Sequence, residues 1–265
     1  MGSQRTFRLA VAATVTLAVA AASTLIGLGT AGAARRATPR PTGSITVSAA
    51  SSLTEVFNRL GKDFERKYRG TSVTFNYGAS NVLEPQIEQG APVDAFAAAD
   101  TTTADKLVAA GHVVGLPVVF ARNRLEIAVA KGNPKKIRTL ADTVKPGVQL
   151  VLCAAAVPCG KFARQAFAKA GVTLLEVPTG QDVKDTLSKV RLGAADAAVV
   201  YVTDVKSARG QAVGVAIPTA QNVIASYPIA RVKSASNPNT AQAFISYVTS
   251  RPGEATLAAF GFVHP

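Results

Sequence analysis

The chain has 265 residues, 48% of them hydrophobic and 17% charged, with 21 Gly and 14 Pro. This length holds one large domain or two lobes with buried cores, and this composition excludes a disordered, collagenous or coiled-coil protein. Lys and Arg outnumber Asp and Glu by 29 to 16, and two His, two Cys, one Met and no Trp leave little material for metal centres or His-based catalysis. The formal charge of +13 suits an anionic partner without choosing among nucleic acid, envelope polymer and small anion, and 6% aromatics argue against stacking on single-stranded nucleic acid.

In chain order, Arg5 and Arg8 precede an uncharged apolar run that ends in Ala31-Gly32-Ala33, a small-x-small pattern suited to signal peptidase. Residues 1–33 therefore read as a signal peptide cleaved near Ala33, which places the mature protein in the periplasm or cell envelope. An uncleaved anchor is the alternative, because the run is long enough to span a bilayer. Its Ala, Thr, Ser and Gly content favours the signal peptide. Residues 34–42, basic and Pro-containing, read as a flexible linker outside the fold.

From Gly43 onward, short apolar strands alternate with amphipathic helices. A strand at 44–50 precedes a helix at 54–68, with Val56, Phe57, Leu60, Phe64 and Tyr68 on one stripe. A strand at 72–77, a helix near 82–89, a strand at 94–99 and a helix at 103–110 follow. Two strand segments, 118–120 and 125–130, are separated by the polar stretch 121–124. Then come a strand at 148–153, a helix at 160–170, a strand at 174–177, a helix at 182–192 and a strand at 197–201. Strands near 213–217 and 228–232 and helices near 240–250 and 253–260 complete the chain. The alternation predicts an α/β fold with parallel sheets flanked by helices. Glycine-rich dinucleotide and Walker-type phosphate motifs are absent, so no nucleotide cofactor is expected.

Cys153 and Cys159 are six positions apart. In an oxidising compartment this favours a local disulfide over two free thiols, or over a redox pair, for which the tighter C-x-x-C spacing is usual. Four strand-to-helix junctions carry small or hydroxyl residues: 50–54 (ASSLT), 78–81 (GASN), 157–160 (VPCG) and 180–183 (GQDV). Open α/β sheets bind ligands beyond the carboxyl ends of their strands, and helix starts there present unpaired N–H groups and a positive dipole end. Converging starts would hold a compact oxyanion without Lys or Arg. Taken singly, each junction is as well explained by ordinary N-capping.

The segments ITVSAASSLTEVF, SNVLEPQIEQGAPVDAFAAAD, VPCGKFARQAF, GQDVKDTL, VVYVTDV and AAFGFV, in this order, resemble the periplasmic molybdate-binding proteins of molybdate ABC transporters. The resemblance spans nearly all of residues 44–263. It implies a two-lobed type II periplasmic-binding-protein fold, with two crossover strands and a ligand cleft between the lobes. Lobe one would comprise 43–120 and 226–265, and lobe two 121–225. It implies molybdate or tungstate as ligand, a membrane permease as partner, a monomer, no cofactor and no chemical turnover.

Carried over position by position, the resemblance implies a shell of five residues. Ser52 and Ser80 would give a hydroxyl and a backbone N–H each, Cys159 and Val183 a backbone N–H each, and Tyr201 its phenol. No side chain would ligate molybdenum directly. Cys159 departs from the Ala common in the family, but a main-chain donor tolerates the change and leaves the thiol free to pair with Cys153. A donor-only shell matches a fully deprotonated dianion, whereas hydrogenphosphate carries a proton that would find no acceptor. Sulfate or another tetrahedral oxyanion remains the alternative ligand.

Other classes fare worse on the sequence. A hydrolase using Ser52, Ser80 or Cys159 needs a base within reach, and His112 and His264, read as surface residues, lie far away in sequence. A ferric site could draw on Tyr77, Tyr201 and Tyr227, but no adjacent Tyr pair or nearby His supports it. The basic residues are dispersed, with Lys135, Lys136 and Arg138 one small cluster, so a solvated basic face is favoured over a nucleic-acid surface.

Overall fold

The computed structural model describes residues 40–265. The proposed signal peptide and most of the proposed linker lie outside them. The strands are β1 (Gly43–Ala50), β2 (Thr71–Gly78), β3 (Ala95–Ala97), β4 (Val118–Ala130), β5 (Leu150–Cys153), β6 (Thr179–Gly180), β7 (Ala197–Tyr201), β8 (Ala212–Ala216) and β9 (Ile224–Arg231). The helices are α1 (Thr54–Lys67), α2 (Ser80–Glu88), α3 (Thr101–Ala109), α4 (Leu140–Thr143), α5 (Pro158–Lys169), α6 (Val183–Arg191), α7 (Val202–Ser207), α8 (Pro238–Val248) and α9 (Arg251–Phe260).

The strands form one curled sheet in the order β2-β1-β3-β9-β4-β7-β5-β6, with β8 also paired to β4. Its two ends are parallel: β1 with β2 and β3, and β5 with β6 and β7. The middle is antiparallel, so the sheet as a whole is mixed, with the expected parallel pairing at its two ends. The cause is that β4 and β9 serve both ends. β4 pairs with β9 through Val118–Arg124 and then with β7 through Leu125–Val129, while β9 pairs with both β4 and β3. Two strands thus cross between two α/β halves, the architecture of a type II periplasmic-binding-protein fold.

Three differences from the expected elements have local causes. The two segments at 118–120 and 125–130 are one strand, because Ala121 and Asn123 are buried while Arg122 and Arg124 face solvent, a period-2 pattern that continues through a register shift between Val119 and Ala121. The strand expected at 174–177 is absent. Leu175 is 72% exposed, and only Thr179 and Gly180 pair with β5, joined from Pro178 by the carbonyl that accepts from the Leu152 N–H at 3.2 Å. The fold also begins before Gly43: Pro41 is buried, and Thr42 exchanges backbone–side-chain hydrogen bonds with Thr240 at 3.1 and 2.7 Å.

The core explains why α1 sits where it does. Val56, Phe57, Leu60 and Phe64 are essentially inaccessible. Phe57 and Phe64 meet Phe244 of α8 edge-on, at 6.0 and 5.4 Å between ring centres, and Phe57 also meets Phe120 of β4 at 5.7 Å. Burying each such ring stabilises the fold by roughly 1.5–3 kcal/mol. This packing fixes the start of α1, and so Ser52, against the sheet.

Candidate functional site

The structure brings all five expected residues together. Ser52 lies in a 3-10 turn, Ser51–Leu53, between β1 and α1; Ser80 opens α2; Cys159 follows Pro158 at the start of α5; Val183 opens α6; and Tyr201 ends β7. They line one small cavity, of about 10 Å³. Two of the helices start earlier than their apolar pattern suggests. α2 opens at Ser80 and not near 82, and α5 at Pro158 and not at 160. That shift puts Ser80 and Cys159 in the first turn, where N–H groups have no partner within the helix.

Capping does not account for these junctions. The N-cap residues of the 3-10 turn, α2 and α5 are Ala50, Ala79 and Val157, and none supplies a side-chain cap. Asp182 does cap α6, but it accepts from the N–H groups of Lys184 and Asp185 and leaves that of Val183. By contrast α3, α4 and α8 are capped by Asp100, Thr139 and Asn237. Three of the four starts that face the cavity thus have no side-chain cap, and the fourth keeps the Val183 N–H free of one.

The hydroxyls have their own arrangement. Ser80 Oγ accepts from the Ala99 N–H at 3.0 Å, and Ser52 Oγ shares a hydrogen bond with Tyr227 Oη at 3.0 Å. Tyr201 Oη is buried with no hydrogen-bond partner. Burial, the dominant cause, pushes both phenols up from their ordinary value, Tyr201 strongly, so both stay protonated donors. Among the described residues, no charged side chain lines the cavity. Lys184, beside Val183, is engaged elsewhere: its Nζ lies 2.7 Å from Glu55, 3.1 Å from Asp204 and 3.2 Å from Ser207 Oγ.

Two cysteines and a glycine shape the α5 corner. Cys153 and Cys159 form a disulfide with their Cα atoms 5.8 Å apart, tying the end of β5 to the start of α5. Gly160 is required by close approach, because a Cβ there would run into the carbonyl oxygens of Cys153 and Ala154. Arg164 Nη1 donates to the carbonyls of Cys153 and Gly160, each at 3.1 Å, and completes the corner.

With this geometry in view, comparison with known proteins is decisive for the family. The family model described as "Bacterial extracellular solute-binding protein" matches residues 45–263. The chain belongs to that family. Within the family, it is 40% identical to the molybdate-binding protein ModA of Mycobacterium tuberculosis over 222 residues, 84% of this chain and 85% of the relative. Its fold is similar to the periplasmic molybdate-binding protein of Azotobacter vinelandii, with a TM-score of 0.75 and 21% identity over 83% of this chain and 99% of that one. It is also similar to the sulfate-binding protein SubI of M. tuberculosis, with a TM-score of 0.73 and 20% identity over 83% of this chain and 86% of that one.

The geometry weighs on the competing chemistries too. The partners of Ser52 and Ser80 are a phenol and a backbone N–H, neither a base, and Cys159 has no free thiol. His264 is exposed, 3.4 Å from Glu254, and His112 is partly exposed; neither lines the cavity. Tyr201 and Tyr227 do form a spatial pair, with ring centres 6.0 Å apart. Yet among the described residues no group of three His, Cys, Asp or Glu could hold a metal ion. Tyr77 is engaged elsewhere, donating to the Thr54 carbonyl and Asn58 Oδ1.

Sequence reasoning missed the supports behind the shell. Tyr227, the Ala99 N–H and the Glu55–Lys184–Asp204 cluster were not singled out for it. Only Tyr227 left a readable signal: a tyrosine in the apolar strand SYPIA needs a partner for its hydroxyl once buried.

Proposed function

We propose that this solute-binding protein captures molybdate, with tungstate close to it, reversibly and without chemical turnover or a cofactor. The observation that carries the reading is the buried, partnerless Tyr201 hydroxyl at a cavity otherwise bordered by neutral donors. A buried hydroxyl without a partner is costly unless a ligand completes it. An acceptor-only dianion does so, and it needs no counter-charge when helix N–H groups and hydroxyls surround it. The 40% identity to a molybdate-binding relative supports the choice among dianions.

In this reading Ser52, Ser80 and Tyr201 donate hydroxyls, and Ser52, Ser80, Cys159 and Val183 donate backbone N–H groups. All come from one chain, so a monomer is the binding unit. Lobe one, 43–120 with 226–265, holds Ser52 and Ser80, and lobe two, 121–225, holds the rest. A ligand touching both lobes favours their closure. The hinges then fall in β4 near its register shift and in β9. Ion pairs bridge the same two groups of elements, Lys184 to Glu55 and Lys161 to Asp100 at 3.3 Å. The loaded protein, exported by its N-terminal signal peptide, would deliver the anion to an ABC-transporter permease.

Calorimetry on residues 34–265 tests this. One site per chain for molybdate, unaffected by excess phosphate, is expected. Sulfate bound as tightly as molybdate would overturn the assignment.

A further inference from the structure

Tyr227 stands on β9 and is fully buried. Its ring is held by Phe262, Tyr201 and Phe120, with ring centres at 5.4, 6.0 and 6.4 Å, all near edge-on. The phenol oxygen is thereby fixed 3.0 Å from Ser52 Oγ. Either oxygen could donate, and the direction follows from placing the protons. Ser52 Oγ is the acceptor that the Tyr227 phenol meets at hydrogen-bond distance, and the Asn123 and Tyr201 side chains beside it lie on the donor side of its oxygen. If Ser52 donated, the Tyr227 proton would lose this acceptor, and the serine proton would point away from the cavity. If Tyr227 donates, its proton is satisfied and the proton left over is that of Ser52, on an oxygen that borders the cavity. With an acceptor-only ligand in place, the relay Tyr227 to Ser52 to ligand satisfies every hydroxyl.

Ser80 is handled in a parallel way, since the Ala99 N–H donates to its Oγ and leaves its proton free. The two serines are therefore held as donors by groups that do not line the cavity in one case and by backbone in the other. A ligand that carries its own proton needs one of them to turn and accept, which breaks the relay.

We propose that Tyr227 is a positioning residue that sets specificity: by donating to Ser52 Oγ it aims the serine proton at the ligand and denies an acceptor to protonated oxyanions such as hydrogenphosphate. The proposal rests on the oxyanion reading of the cavity. Replacing the phenol by phenyl frees the serine hydroxyl to rotate and to accept, so affinity for molybdate and rejection of phosphate should both fall.

The test is a double-mutant cycle on the full mature chain, titrated with molybdate and with inorganic phosphate near pH 7. Tyr227→Phe keeps the three ring contacts and removes one oxygen, so the variant folds, which circular dichroism checks. It should bind molybdate about 3- to 10-fold more weakly, as expected for a hydrogen bond of ordinary strength, and its molybdate-to-phosphate affinity ratio should fall at least as much. In the Ser52→Ala background the same substitution should change neither quantity by more than about twofold, because its effect runs through Ser52. An unchanged ratio in Tyr227→Phe, or an equal loss with and without Ser52, overturns the positioning role while leaving the oxyanion reading intact. A wild-type protein that binds no molybdate overturns the oxyanion reading, and this proposal with it.

Discussion

Tyr201→Phe separates ligand binding from folding by sign. The phenol oxygen is buried and has no hydrogen-bond partner among the described residues, while the ring packs edge-on against Tyr227 at 6.0 Å. Phe keeps the ring and removes a buried hydroxyl that costs about 1–3 kcal/mol when unpaired. The ligand-free variant should therefore be at least as stable as wild type. A gain of 1 kcal/mol would raise the midpoint by roughly 2–4 °C in a chain of this size; water reaching the phenol in a more open form would shrink the gain toward zero without reversing it. Binding should move the other way. A hydrogen bond to a charged acceptor contributes about 1.5–3 kcal/mol, and 1.4 kcal/mol is tenfold, so molybdate should bind about 10- to 150-fold more weakly. Thermal unfolding with and without molybdate, paired with calorimetry, reads both quantities. A variant that is less stable yet binds like wild type would refute the reasoning, because the phenol would then belong to the fold and not to the ligand.

Other substitutions address the supports of the site. Cys153→Ala with Cys159→Ala should lower stability by about 2 kcal/mol on the chain-entropy account of a short loop, while molybdate binding persists because residue 159 contributes its N–H. Gly160→Ala should destabilise more and weaken binding together with it, since a methyl there must push the α5 start, and the Cys159 N–H with it, away from the Cys153 and Ala154 carbonyls. Glu55→Gln with Lys161→Met, which removes both bridging ion pairs but leaves Lys184 on Asp204, should speed molybdate release about 3- to 10-fold in stopped-flow displacement; an unchanged release rate would show that the bridges do not hold the closed form. Burial pushes the Asp204 carboxyl up to about 6 from 3.8, with Lys184 opposing the rise. The folded state thus binds this proton more readily than the unfolded one, so stability from this group is present below about pH 4 and lost as pH rises toward 6. Urea unfolding between pH 4 and 7 should show that downward slope reduced in Asp204→Asn; Lys184, whose pKa is raised, acts only in the alkaline range.

Much of the fold was legible because its signals are local. The α1 stripe, the alternation of β1 and the hydroxyl-rich junctions depend on residues close in sequence. The misreadings arose where a tertiary partner decides the outcome. Ala121–Arg124 looks like a break until one sees that β9 pairs with the whole stretch, with Ala121 and Asn123 on the buried face and the two arginines in water. The apolar 174–177 stretch looks like a strand, but Pro178 lacks an N–H and only a two-residue β6 follows it onto β5. Of the site, the five lining positions were reachable through family resemblance, and the open helix starts through the spacing of small residues. The proton relay was not. Ser52 and Tyr227 are 175 positions apart, and only the crossing of β9 behind the 3-10 turn brings their oxygens together.

Charge is distributed in a way that separates recognition from closure. A strongly basic chain could hold a dianion with Lys or Arg, yet the cavity lining is neutral. A buried cation there would attract every anion, monovalent or divalent, and would be left uncompensated each time the ligand departed. Neutral donors avoid both problems: in the proposed cycle of opening and closure, N–H groups and hydroxyls would return to water when the cleft opens, and they would discriminate by proton count as well as by charge. The ion pairs stand one layer out, Lys184 with Glu55 and Asp204, Lys161 with Asp100, where each cation meets a carboxylate. In the proposed closed form they would help hold the two halves together, and none of them lines the cavity. Altering them should therefore change how long the ligand stays, whereas altering Ser52, Ser80, Tyr201 or Tyr227 should change which ligand is accepted.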